Sequence, residues 1–174
     1  MITIRRATPA DAAVLAELGA RTFSDTFAKD NTPENMAAFL SKTYGEAQQR
    51  RELEDPATFT LLAEEDGVAL AFATMHRDGG DSIEIARFYV DRPHHGRGLA
   101  QTLMSRVIEE AGNVARIWLV VWEHNPRAIA FYEKCGFRRT GAVKPFIIGN
   151  DVQNDCVMER RFDTVREADS AATS

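Results

Sequence analysis

The run Phe88-Tyr89-Val90-Asp91-Arg92-Pro93-His94-His95-Gly96-Arg97-Gly98-Leu99-Ala100-Gln101 constrains this chain more than any other segment. Ile83 to Val90 is apolar on both faces, so it reads as a strand in the middle of a sheet. Leu99, Leu103, Met104, Val107, Ile108 and Ala111 recur at helical spacing, and Gly112-Asn113 ends that helix. Only a short loop with Gly96 and Gly98 joins strand to helix. The first N–H groups of a helix have no internal partners and point outward, and glycines let a backbone approach an anion closely. Arg97 adds a full charge at that spot, so a pyrophosphate-bearing ligand fits the chemistry. The loop is no P-loop, because G-x-x-x-x-G-K-[ST] is absent. It is a poor dinucleotide fingerprint too, because Gln101 stands at the third glycine position and the loop follows three strands rather than the first. Taken alone, it could equally be a helix start with two turn glycines.

The surrounding elements define one domain. Thr3 to Arg6 alternates like a short strand. Thr8-Pro9-Ala10-Asp11 opens a helix with Thr8 as N-cap and Pro9 at N1, followed by a stripe of Val14, Leu15 and Leu18. A second helix opens at Thr32-Pro33-Glu34 and carries Met36, Phe39, Leu40 and Tyr44, and a short exposed helix covers Glu46 to Asp55. Thr58 to Leu62 and Val68 to His76 form a hairpin around Glu65-Asp66-Gly67. Arg116 to Trp122 reads as a buried strand, and Asn125-Pro126 starts a helix with Ala128, Ile129, Tyr132 and Cys135 on one stripe. Phe137 to Val143 and Asp151 to Arg161 are the last expected strands. Residues 1–162 are thus one α+β domain with a mixed sheet, and 163–174 read as a polar, flexible tail.

Composition limits what such a domain does. The 174 residues carry a net charge of −5, with 44 % apolar and 27 % charged content, as in an ordinary globular protein. The acidic balance argues against nucleic acid and agrees with a cationic substrate. No apolar run approaches the roughly 18 residues of a membrane span, and the N-terminus lacks a signal-peptide pattern, so a cytoplasmic protein is expected. The two cysteines, Cys135 and Cys156, read as reduced thiols. His94-His95 has no accompanying ligand set, so no metal is expected.

A second motif follows the next buried strand: Asn125-Pro126-Arg127-Ala128-Ile129-Ala130-Phe131-Tyr132-Glu133-Lys134-Cys135-Gly136-Phe137. Read locally, it is a capped helix closed by a C′ glycine. In order, strand–GxGxA–helix and strand–NxxAxxFYxxxGF resemble the GCN5-related N-acetyltransferase (GNAT) superfamily. Its first motif, [Q/R]-x-x-G-x-[G/A], maps onto His95 to Ala100, with His95 in place of the usual Gln or Arg. The resemblance spans about residues 1 to 161. Thr22 to Phe27, Asn31 to Met36, Trp118 to Glu123 and Thr140-Gly141-Ala142 are similar to the PaiA-type branch, which includes spermidine/spermine N-acetyltransferases.

The resemblance implies a mixed, mostly antiparallel central sheet with helices on both faces, and acetyl-CoA as cosubstrate. It places the pyrophosphate on His95, Gly96, Arg97, Gly98, Leu99, Ala100 and Gln101. It places the pantetheine arm along Phe88, Tyr89 and Val90, where the strand splays from its neighbour. Asn125 would bond the arm, and Phe131 and Tyr132 would flank the sulfur. Tyr132 becomes the donor to the leaving thiolate, and Glu84, in Glu84-Ile85-Ala86-Arg87, the base, directly or through a water. Glu84 could instead pair with Arg87. A backbone N–H of Tyr89 or Val90 is the expected oxyanion donor. Asp25, Asp30 and Glu34 could attract a cation. The implied acceptor is a polyamine or similar small amine, with a protein N-terminus or lysine as the alternative. A non-catalytic acyl-CoA-binding module is the reading from another class. A homodimer is implied by family analogy only.

Overall fold

The computed structural model describes residues 1–163; beyond Asp163, the tail expected over 163–174 lies outside the described residues. The chain runs β1 (Ile2–Arg6), α1 (Ala12–Phe27), α2 (Pro33–Tyr44), α3 (Glu46–Glu54), β2 (Thr58–Glu65), β3 (Val68–Arg77), β4 (Ser82–Val90), α4 (Leu99–Ala111), β5 (Arg116–Trp122), α5 (Pro126–Lys134), β6 (Arg138–Ile148) and β7 (Asp151–Arg161). The described strands form one seven-stranded sheet in the order β1-β2-β3-β4-β5-β7-β6, with β4 at its centre. Every neighbouring pair is antiparallel except β4–β5. The mixed, mostly antiparallel sheet with helices on both faces is therefore present.

Each face has its own core. Leu15, Leu18, Phe23 and Phe27 of α1, with Met36 and Tyr44 of α2, pack on Leu62 and Phe72. On the opposite face Leu103 and Val107 of α4, with Ile129 and Tyr132 of α5, pack on Ile83, Ile117 and Leu119. The helix starts follow their caps. Thr32 Oγ1 accepts the Asn35 N–H at 3.2 Å, with Pro33 in the first turn. A 3-10 turn at Pro9–Asp11 precedes α1, and Thr8 and Asp11 form a capping box around it.

Two expectations differ from the structure. Val14 is 42 % exposed, and the buried stripe of α1 instead runs through Ala12, Leu15, Leu18, Gly19, Thr22, Phe23 and Phe27. The strand expected to stop at Val143 continues to Ile148. Pro145 is tolerated there because β6 is an edge strand, where a missing N–H costs no ladder bond on the outer side.

Arg5 ties β1 to the start of α1. Its guanidinium donates two bonds of 2.9 Å to Asp11 and a third of 2.9 Å to Glu64. The Arg5 bonds pull the Asp11 carboxyl down to about 2. A carboxyl lowered on folding stabilises the fold while ionised, so its contribution is complete above about pH 4 and is lost as pH falls through 2. Asp11→Asn is expected to lower the urea midpoint at pH 7. The same change should flatten the decline between pH 4 and 2, read by circular dichroism.

Candidate active site

β4 and β5 pair over only four positions, Ser82–Ile85 against Arg116–Leu119. Beyond Ile85 the two strands part, and β5 is held on its far side by β7. β4 keeps its pairing with β3 through Val90. The register slips between Thr74 and Met75 so that Ala86 has no partner, a β-bulge. The bulge puts Glu84, Arg87 and Tyr89 on the α1–α3 face, and Ile83, Ile85, Phe88 and Val90 on the other.

The ladder also decides which backbone groups are free. The Asp91 N–H donates to the Leu70 carbonyl at 2.8 Å. In an antiparallel pair, successive residues turn both backbone polar groups alternately toward and away from the partner. Phe88 and Val90 therefore turn theirs to the gap, whereas those of Tyr89 are spent on β3. Of the two oxyanion donors expected, Val90 is the one aimed at the cleft.

Immediately after β4 the chain makes a 3-10 turn at Arg92–His94 and enters α4 through Gly96 (φ 73°) and Gly98 (φ 80°). A Cβ at either glycine would meet nothing within 4 Å, so both open onto free space. The amides from Gly96 to Gln101 donate to no acceptor among the described residues, the first helical bond being Thr102 N–H to the Gly98 carbonyl at 3.1 Å. These unpartnered amides lie where the sequence led us to expect an anion cradle, and Arg97 is exposed beside them. His95 has a further task. Its ring Nε2 lies 2.7 Å from the Val90 carbonyl oxygen, so Nε2–H is the donor, and it pins the loop to the strand end.

The second motif lies on the α4–α5 face of the same cleft. Asn125 Oδ1 accepts the Ala128 N–H at 3.2 Å and caps α5, which leaves its amide nitrogen available. Phe88, Phe131, Tyr132 and Phe137 form an aromatic cluster with centroids 5.4–6.2 Å apart. Tyr132 is 9 % exposed. Burial, then the neighbouring Tyr89 and Cys135, hold its phenol above the usual range, so it stays protonated at neutral pH. Burial also pushes the Cys135 thiol up, away from a nucleophile's range.

On the α1–α3 face, Arg87 does not pair with Glu84. It turns to Glu52 of α3 in a two-pronged ion pair and lies over the Tyr44 ring at 5.1 Å. Glu84 makes no hydrogen bond or ion pair among the described residues. It opens into a pocket of about 260 Å³ shared with Glu52, Asp55, His76 and Ala86. α1 crosses above the split, with Arg21 on Asp91 at 3.0 Å beside the end of β4 and Phe27 on Trp122 at 5.5 Å at the end of β5. Asp25, Asp30 and Glu34 are exposed. A residue not anticipated from the sequence, Asp155 of β7, is 7 % exposed on this face. Its polar neighbours in the run Asn154-Asp155 gave no sign of its burial.

A strand split beside an amide-rich loop, with a buried tyrosine at the split, suits an acyl-CoA cosubstrate. The comparisons agree. Residues 23–137 match the model of the acetyltransferase (GNAT) family. An uncharacterized N-acetyltransferase of Mycobacterium bovis is 34 % identical over 154 residues, 87 % of this chain and 98 % of that protein. The spermidine N(1)-acetyltransferase of Vibrio cholerae is 37 % identical over 76 residues, 40 % of this chain and 44 % of that one. The PaiA N-acetyltransferase of Thermoplasma acidophilum, solved with coenzyme A, has the same fold, with a TM-score of 0.78 at 20 % identity over 93 % of this chain and 99 % of that one. The chain belongs to the GNAT family, and it is an N-acetyltransferase.

Proposed function

We propose that this protein moves an acetyl group from acetyl-CoA to a small primary amine, a polyamine or similar, by direct attack. The observation that carries this is the parting of β4 from β5 between the loop amides and Tyr132. The residues fit the cosubstrate: Gly96 to Gln101 offer unpartnered N–H groups to phosphate, with Arg97 as countercharge. Phe88 offers free backbone groups to an amide-bearing arm, the Val90 carbonyl being taken by His95, and the Asn125 amide can add a bond. Acetyl-CoA, when bound, supplies an activated thioester.

The protein's own part is proton handling and orientation. An amine near pKa 10 is free base in about one molecule in 10³ at pH 7, a cost of roughly 4 kcal/mol. Glu84, with no partner of its own, takes that proton at its carboxylate, directly or through a water. The Val90 N–H donates to the carbonyl oxygen as charge builds there. Tyr132 holds a proton at Oη for the leaving sulfur. Glu84→Gln is expected to lower kcat by about 10²-fold while leaving the KM for acetyl-CoA within twofold. Unchanged turnover in that variant would remove the base role.

The small-amine reading draws on the spermidine acetyltransferase similarity and on Glu84, which stays unpaired among the described residues in a pocket where Arg87 already occupies Glu52. It is tested by mass spectrometry of a pool of spermidine, spermine, putrescine, amino acids and short peptides incubated with acetyl-CoA. Acetylated polyamine is expected. Acetylated peptide alone would reject the acceptor, and bound acetyl-CoA without any product would favour a binding module.

A further inference from the structure

Two acceptor atoms lie side by side on the α1–α3 face of β7 with nothing to accept. Asp155 Oδ1 and Gln153 Oε1 are buried without a hydrogen-bond partner among the described residues. Residues two apart on a strand share a face, so the two project together. The Gln153 amide is fixed by its other end, Nε2 donating to Asn31 Oδ1 at 3.3 Å. Asp155 stands opposite Trp122, at the end of β5 beyond the point where β4 has parted from it. Trp122, Phe27 and Phe146 wall the place with rings 5.5–5.8 Å apart.

An unpaired buried carboxylate is costly, and folds retain one where a ligand supplies the missing donor. No cationic side chain among the described residues supplies it. Lys144 lies directly across on β6, yet its ammonium rests over the Trp118 ring at 4.4 Å, and no ion pair joins it to Asp155 among the described residues. Glu123, at the end of β5, adds repulsion rather than relief. Tyr89 faces Asp155 from β4.

We infer that Asp155 and Gln153 form the subsite that receives a protonated amino group of the acceptor, with Trp122, Phe27 and Phe146 as its aromatic wall. A carboxylate and an amide oxygen match two N–H donors of one ammonium, and ring faces favour a cation and its methylenes alike. The inference rests on the acetyltransferase reading and narrows its substrate class to cationic amines. Burial, with Glu123 second, pushes the Asp155 carboxyl up to about 6, as expected of a charge that lacks its counter-ion.

The test compares the wild-type protein with Asp155→Asn by calorimetric titration of spermidine in the presence of coenzyme A at pH 7.5. Loss of one charge-assisted bond in a buried site predicts a Kd about 10- to 100-fold weaker for the variant. Coenzyme A affinity should be unchanged. Because a carboxyl raised on folding penalises the fold when ionised, the variant should melt higher at pH 7.5, by a margin that shrinks as pH falls toward 4. The same affinity for spermidine in both proteins would overturn the subsite while leaving the acetyltransferase reading intact. A wild-type protein that binds coenzyme A but no spermidine would overturn the subsite and the small-amine assignment together.

Discussion

Tyr132→Phe will retain acetyl-CoA binding and lose about 10²–10³-fold in kcat, within the usual range for a positioned acid or proton donor. The argument is differential. The phenyl ring stays in the aromatic cluster with Phe88, Phe131 and Phe137, so packing and the shape of the cleft are kept. Only Oη is removed. Among the described residues Oη makes no hydrogen bond that the substitution would break. A thiolate with a reference pKa of about 8.5 is a better leaving group when a hydrogen bond meets it as it forms. Burial keeps the Tyr132 phenol protonated well past neutrality, so the donor is present throughout the working range. Steady-state rates with calorimetry of coenzyme A separate the two effects. Equal losses of rate and affinity would make Tyr132 a structural residue, and an unchanged rate would end the donor role.

Gly98→Val will weaken coenzyme A binding by about 10²-fold. Gly98 sits at φ 80° as the N-cap of α4, where a β-branched residue costs roughly 1–2 kcal/mol or forces the loop to move. Any movement turns the amides of Gly98 to Gln101 out of their present arrangement. The control is Gly112→Val. Gly112 has φ 71° at the opposite end of the same helix, again with nothing within 4 Å of an added Cβ. At ψ −146° Gly112 is harder on a side chain than Gly98 at ψ −2°, so the control carries at least as much strain, a helix length away from the cradle. Both variants should lose stability by denaturant titration, and only the first should lose affinity. Equal affinity in the two would refute an anion site at the loop.

The parts of this site that were legible in the sequence are those governed by local chemistry. A helix start announces itself through Gly98, Thr32 or Asn125 because capping is settled within four residues. The two motifs followed buried strands, and that placed the cleft. What stayed hidden depends on residues brought from afar. Arg87 had a carboxylate three residues away in Glu84, but the strand turns both side chains onto one face beneath α3, and Glu52 meets the guanidinium from there. The bulge at Ala86 leaves no mark in Ile85-Ala86-Arg87. β6 was expected to stop at Val143, two residues before Pro145, whereas an edge strand tolerates a proline. Asp155 was passed over because strand periodicity says which face a carboxylate takes and nothing of whether a partner arrives there. Val14 was misplaced by one helical position, since Ala12 and Gly19 carry little apolar signal although both are buried.

The four-pair union of β4 with β5 has a mechanical side. The sheet is two leaves, β1–β4 and β5–β7, bound along a short spine, and α1 spans them like a strap from Asp91 to Trp122. A ligand lying along the opened margin takes up rungs that a seamless sheet would supply from its own backbone. Reactant and brace are then the same molecule, and the two leaves are most firmly one body while the chemistry proceeds.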